Sequence, residues 1–217
     1  MCSSDLAFAS RIVCHQAKPA CRIGQLNSNV RLHTPTLPMS TPETDAAIEV
    51  VPYNPAWPRQ FLVEQSALQA ALVPWLAGSV EHVGSTAVPG LPAKPVIDLM
   101  APVHSLAESR AAIKAAESVG YVYYPYKSGV IHWFCKPSPQ HRTHHLHIVP
   151  LSSRLWHERL AFRNALRSDL LLAHEYAALK YHLASVHGSD REAYTEAKSP
   201  FILATLEAVY AKQFSAA

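Results

Sequence analysis

The 217-residue chain is 49% hydrophobic and 16% charged, a composition that supports a globular core and excludes a disordered or collagen-like polymer. Lys+Arg 19 against Asp+Glu 16 leaves a net charge of +3, too mild for the phosphate-neutralising surface of a general nucleic-acid binder. Arg, Lys, Glu or Pro interrupts every apolar run well short of the roughly 18 residues a membrane span needs.

Residues 1–46 differ from the rest. Arg11, Lys18, Arg22 and Arg31 are opposed only by Asp5 before Glu43, and Ser, Asn, Thr and Pro are scattered among them. The segment reads as a disordered or targeting-like extension, either a basic transit peptide or a stretch upstream of a true start at Met39. Three of the four cysteines, Cys2, Cys14 and Cys21, lie in it, so Cys135 is alone in the body. The core can therefore carry no internal disulfide, and Cys135 is expected as a small buried hydrophobe. With no Cys-x-x-Cys spacing, this favours a reducing compartment, cytoplasmic or, with a transit peptide, organellar.

The body, residues 47–214, shows no repeat and reads as one domain. Ile48–Tyr53 is expected as a strand, followed by a helix with Asn54 as cap and Pro55 at its first position. Phe61, Leu68, Leu72 and Trp75 recur there at helical spacing. Next come an apolar run at Val80–Val83, a Gly/Pro-rich loop at Gly84–Pro95 and a compact strand at Val96–Met100. A helix over about Ser105–Ser118 stops at Gly120, and strands follow at Tyr121–Tyr124, Val130–Cys135 and His144–Val149. From about Leu155 to Phe214 the chain reads as two or three helices, broken at Gly188-Ser189-Asp190 and at Ser199-Pro200. Leu160, Phe162, Leu166, Leu170, Leu179 and Leu183 supply their apolar stripe. The fold class is α/β (α+β), a mixed sheet with helices on one face followed by a C-terminal helical region.

The informative stretch is Glu81-His-Val-Gly-Ser-Thr-Ala-Val-Pro-Gly-Leu-Pro-Ala-Lys-Pro-Val-Ile-Asp98. A strand that runs into Gly84-Ser85-Thr86 can turn backbone N–H groups and two hydroxyls toward an anion, because Gly84 permits close approach. An ordinary tight turn accounts for an isolated Gly-Ser equally well. Asp98 sits in an apolar strand, sharing a face with Val96 and Met100, and a carboxylate there needs a cation, a metal, Lys94 or a backbone N–H.

This stretch, with Tyr53-Asn-Pro-x-Trp57-Pro, His144-His-Leu-His147-Ile-Val and Tyr194-x-x-x-Lys198-x-x-Phe201, resembles the GrpB family, a branch of the nucleotidyltransferase superfamily sometimes fused to dephospho-coenzyme A kinase. The resemblance covers about Ile48 to Phe214. It implies a nucleotidyltransferase-like sheet in which Gly84 and Ser85 match the turn that holds nucleotide phosphates and Asp98 matches the first metal carboxylate. It also gives weight to Tyr194 and Lys198, and by family analogy alone it suggests a link to coenzyme A metabolism. Position 100 departs from the pattern: active superfamily members usually carry a second Asp or Glu there, and this chain has Met100.

The strand His144–Val149 offers a substitute. His145 and His147 share a face opposite Leu146 and Ile148, and beside Asp98 they would suit a transition metal better than Mg²⁺. Three half-exposed sheet histidines are the plainer alternative. Candidate cations are Lys94, Arg163, Arg167, Lys180 and Lys198, with Arg163 and Arg167 on one helix face. Trp57, Trp133 and the tyrosines of 121–126 can stack a base, although core packing explains them as well.

The resulting expectation is a protein that binds a nucleotide or other phosphate-bearing small molecule, with Gly84, Ser85, Thr86, Lys94 and Lys198 as binding residues. Asp98, His145 and His147 are the expected catalytic and metal-holding residues, with Mg, Mn or Zn as the metal and nucleotidyl transfer as the chemistry. The rivals are a non-catalytic ligand-binding or partner module, for which Met100 speaks, and a metal-dependent phosphohydrolase. Neither a membrane nor nucleic acid is an expected partner.

Overall fold

The computed structural model describes residues 47–215, which belong to one compact unit. The expectations for residues 1–46, and the Met39 start, lie outside the described residues.

Five strands, β1 (Glu81–Val83), β2 (Ile97–Val103), β3 (Val122–Tyr124), β4 (His132–Pro137) and β5 (Arg142–Pro150), form one sheet in the order β1-β2-β5-β4-β3. β2 and β5 run parallel and the other pairs antiparallel, so the sheet is mixed. Apolar alternation sets the faces: Ile97, Leu99, Ala101, Val103, Leu146 and Ile148 turn toward α1 (Trp57–Leu72) and α2 (Ala112–Ser118). There they close the main core with Trp57, Phe61, Leu68 and Leu72. On the other face Met100 and Val149 pack with Val83, Ile131 and Trp156, the last from α3 (Arg154–Ser168). α4 (Leu170–His187), α5 (Arg191–Ala197) and α6 (Ser199–Ser215) complete the C-terminal helical region.

Several local expectations give way. Ile48–Tyr53 is not a strand: Val51 makes a single antiparallel bridge to Ala93, because Pro52 and Pro55 remove the donors a ladder would need. Asn54 does accept from the Ala56 N–H at 2.9 Å, but the helix begins at Trp57 and it is Pro58 that occupies its first turn. Residues 105–111 form turns around the Ser105 hydroxyl, which accepts from the Glu108 N–H at 3.2 Å, so α2 begins only at Ala112. The last strands are shifted or extended, with β4 reaching Pro137 and β5 starting at Arg142.

The helical region contains four helices rather than two or three. Asp169, in extended conformation, ends α3 and caps α4 by accepting from the Leu172 N–H at 3.0 Å. That break leaves Leu170 exposed, outside the expected stripe. Gly188 ends α4 with φ 54° and Asp190 caps α5, as the Gly-Ser-Asp break predicts. Cys135 is fully buried.

Candidate functional site

β2 and β5 lie side by side in register, with Asp98 opposite His145 and Met100 opposite His147. Alternation puts Asp98, His145 and His147 on the face away from α1 and α2. Asp98 Oδ1 lies 3.0 Å from His145 Nδ1 and 3.9 Å from His147 Nε2. One candidate ligand atom from each of the three residues falls within 4.8 Å of the others. The Nε2 atoms of His145 and His147 are both buried without a hydrogen-bond partner. Buried imidazole nitrogens rarely stay unpaired.

The electrostatics suit a cation. Burial alone would raise the Asp98 carboxyl, but hydrogen bonding and charge from His145 and His147 outweigh it and hold the group well below the usual carboxylate range. At 3.9 Å the His147 contact is longer than a hydrogen bond, so the His145 contact at 3.0 Å is the dominant stabiliser. Burial lowers His147 to about 4 against the opposing pull of Asp98, so its ring is neutral at pH 7, the form that ligates metals. A carboxylate beside the neutral His147 ring and a second imidazole fits Zn²⁺ or Mn²⁺ better than the all-oxygen preference of Mg²⁺. Met100 is 1% exposed and packed into the apolar cluster with Val83, Val149 and Trp156, so the second superfamily carboxylate has no equivalent on this strand.

The cluster lines a cleft of about 740 Å³. Ser85, Thr86, Lys94 and Lys198 line it too, along with Trp133, Tyr124 and Tyr126. Seven Lys and Arg side chains face three carboxylates on its walls. Arg142, Arg159, Arg191 and Lys127 are among them, and sequence reasoning had singled out none of these. Charge alone gave no signal for them, because scattered surface cations look alike in sequence.

The turn at Gly84 is shaped by Asp98. Gly84 has φ 72°, and a β-carbon there would lie 3.0 Å from Asp98 Cγ and overlap Oδ2, so only glycine lets the turn and the carboxylate meet. Ser85–Ala87 forms a short 3-10 turn whose leading N–H groups have no acceptor within the turn. The Thr86 hydroxyl is committed inward: it donates to the Val96 carbonyl at 3.1 Å and accepts from His82 Nε2 at 3.1 Å. It is therefore not available to a ligand, and the Ser85 side chain on the same wall is itself hydrogen-bonded to Tyr176.

Arg163 and Arg167 do not line the cleft. Arg163 Nη1 donates to Glu81 Oε2 at 2.7 Å and to the His82 carbonyl at 2.8 Å. Arg167 donates twice to the Ala87 carbonyl, from Nε at 2.9 Å and from Nη2 at 2.7 Å. Lys180 Nζ, from α4, donates to the Pro92 carbonyl. The helical region thus grips the Gly84–Pro95 loop by two backbone carbonyls and the end of β1 that leads into it by a third, with Val88 and Leu91 packed on Leu166, Ala173 and Tyr176. Trp57 is a core residue and Tyr121 is buried against Glu64, leaving Trp133 with Tyr124 and Tyr126 as the aromatic wall.

Together these features define a mixed α/β protein whose five-stranded mixed sheet carries an Asp-His-His cluster on the face away from α1 and α2. The family described as GrpB protein matches residues 47–208, and the chain belongs to the GrpB family. A UPF0157 protein of Pseudomonas aeruginosa is 38% identical over 163 residues, covering 73% of this chain and 66% of that protein. The glutamate-rich protein GrpB of Alkalihalophilus pseudofirmus is 29% identical, covering 70% of this chain and 90% of that protein. The crystal structure of the conserved protein GrpB from Enterococcus faecalis superposes with a TM-score of 0.69 at 34% identity, covering 76% of this chain and 99% of that one. The match spans just under two thirds of the Pseudomonas relative and 45% of a Bacillus subtilis UPF0157 protein. No described helix is long and apolar enough to cross a membrane.

Proposed function

We propose that this protein binds a nucleotide or similar phosphate-bearing small molecule in the cleft and acts on it as a metal-dependent transferase. The observation that carries the reading is the convergence of Asp98, His145 and His147 on the wall of a cation-rich cleft, with two imidazole nitrogens buried and unpartnered. A metal held by these three residues would neutralise charge on phosphoryl oxygens. The chain's own groups do the rest: Asp98 stays ionised, His147 stays neutral, and Ser85, held by Tyr176, lines the cleft beside them. Trp133, with Tyr124 at 6.0 Å in edge contact, gives a planar ring a surface to lie on.

A second reading, a binding module without catalysis, is favoured by the buried Met100 where a second carboxylate would complete a two-metal site. Equilibrium dialysis of Mn²⁺, Zn²⁺ and Mg²⁺, with and without ATP, separates the readings. Histidine-dependent Mn²⁺ or Zn²⁺ binding that tightens ATP supports the enzyme. Tight ATP binding indifferent to metal supports the module. Phosphate release from ATP without any acceptor would instead mark a phosphohydrolase.

A further inference from the structure

We propose that the corner of the cleft where Lys94 and Lys198 meet over Tyr194, with Arg159 on the same lining, is an anion subsite that holds a diphosphate group without a metal. Its place within a larger ligand rests on the phosphate-ligand reading above, whereas the subsite stands on its own geometry.

Lys198 Nζ lies 4.2 Å from the centre of the Tyr194 ring and Lys94 Nζ lies 5.5 Å from the same centre. The two ammonium groups come from different elements, the Gly84–Pro95 loop and the C-terminal end of α5, yet share one aromatic seat. Behind them Lys180, 2% exposed, sits 5.0 Å from the centre of the Tyr176 ring. Such ring contacts hold ammonium groups in place before any ligand arrives, so an anion would bind without having to order them.

Crowding like charges in this way is unfavourable for the empty fold. Burial, and then Lys94, lowers Lys198 to about 8, with Asp98 opposing and Arg159 adding to the depression. Burial, and then Lys198, lowers Lys180 to about 7. Burial pushes the Tyr194 phenol up to about 12, so it stays neutral and contributes its ring face. Glu192 and Glu196 line the cleft from exposed positions on α5. An arrangement that sets cations against one another at a cleft wall is relieved by an anion, and groups perturbed in this way cluster at binding sites. The cations come from three elements and spread over one corner, which a diphosphate spans better than a single phosphoryl group. Ammonium and guanidinium groups then act as point donors and a fork to its oxygens.

The test is calorimetric titration of the full chain with inorganic pyrophosphate in excess EDTA. Wild-type protein should bind it, and bind orthophosphate more weakly. Lys198→Met and Lys94→Met should each weaken pyrophosphate by on the order of tenfold or more. Lys198→Arg should keep most of the affinity. Lys114→Met, at an exposed position on α2, is the control and should change nothing. Absence of binding by the wild type, equal affinity for orthophosphate, or equal weakening in the Lys114 control would each overturn the proposal. Should Lys198→Met fail to fold, Lys94→Met decides the matter alone. ADP binding tighter than pyrophosphate would identify the diphosphate as part of a nucleotide, and the reverse would identify the free ion. Pyrophosphate binding in EDTA by a protein that takes up no Mn²⁺ or Zn²⁺ would leave the subsite standing and sink the metal-dependent reading.

Discussion

Gly84 and Asp98 approach so closely that no side chain fits between them. A β-carbon on Gly84 would lie 3.0 Å from Asp98 Cγ, and its backbone, φ 72° and ψ −173°, occupies a region open essentially to glycine alone. The turn and the carboxylate are therefore one built unit.

Gly84→Ala should consequently damage the site twice over. The backbone strain is worth about 1–3 kcal/mol, and the new methyl group must push Asp98 away from His145. Urea unfolding should show the loss of stability, and Mn²⁺ or Zn²⁺ titration should show a loss of affinity larger than the lost stability explains. Normal metal affinity in a folded Gly84→Ala protein would mean that Asp98 does not need this turn.

Arg163 offers a test of the grip that the helical region keeps on the loop. Its side chain is only 10% exposed and bridges the Glu81 carboxylate and the His82 carbonyl. Arg163→Met keeps much of the stem and leaves both acceptors unpaired, which should cost about 1–3 kcal/mol. Proteolysis should cut the Gly84–Pro95 loop faster in the variant. If stability and cleavage rate both match the wild type, the contacts do not hold the loop.

How much of this was legible in the sequence depends on range. Strict alternation puts Asp98 with Met100 on one face of its strand and His145 with His147 on one face of theirs, and the structure adds that the two strands are parallel neighbours in a register that brings those faces together. The Gly84 turn was legible as a turn, but its reason, the Asp98 carboxylate, lies fourteen residues away. Arg163 and Arg167 were candidate phosphate ligands because charge spacing cannot show that a guanidinium ends on a carbonyl some 80 residues away in sequence. Lys94, Lys180 and Lys198 share a cleft wall only through tertiary packing. Asp169 carried a local signal, a capping residue after Ser168, and the continuous apolar stripe across it obscured the break.

The stability of the metal-free protein should fall as the pH drops from about 6.5 to about 4. His82 is 7% exposed, stacked on Phe61 at 4.6 Å, and burial lowers it to about 4, with Asp98 opposing and Arg167 and Arg163 adding to the depression. Between its ordinary value and that lowered one, the unfolded chain binds a proton that the folded chain refuses. Acidification therefore favours unfolding, by on the order of 1–3 kcal/mol across the window. His147 contributes with the same sign. Urea midpoints measured at intervals from pH 7 to pH 4 should show this slope, and His82→Gln should flatten it. An unchanged slope in that variant would assign the effect to other groups.

Asp98→Asn decides whether the cluster exists to hold a cation. The side chain is 24% exposed and accepts from His145 at 3.0 Å, and an amide oxygen can accept the same bond with nearly the same shape. Removing the charge loses its attraction to the neighbouring groups but also removes the cost of partly burying it, and the two effects oppose each other. Because the attraction outweighs the burial cost, stability should fall modestly, by about 1–3 kcal/mol. Metal affinity should not survive, because the only carboxylate of the set is gone and just the two imidazoles remain; a fall of at least about a hundredfold is expected. His147→Gln should reduce metal affinity as well and spare pyrophosphate binding in EDTA. A strongly destabilised Asp98→Asn protein with wild-type Mn²⁺ and Zn²⁺ binding would reveal a structural hydrogen-bond network at this position, and the enzyme reading would lose its foundation.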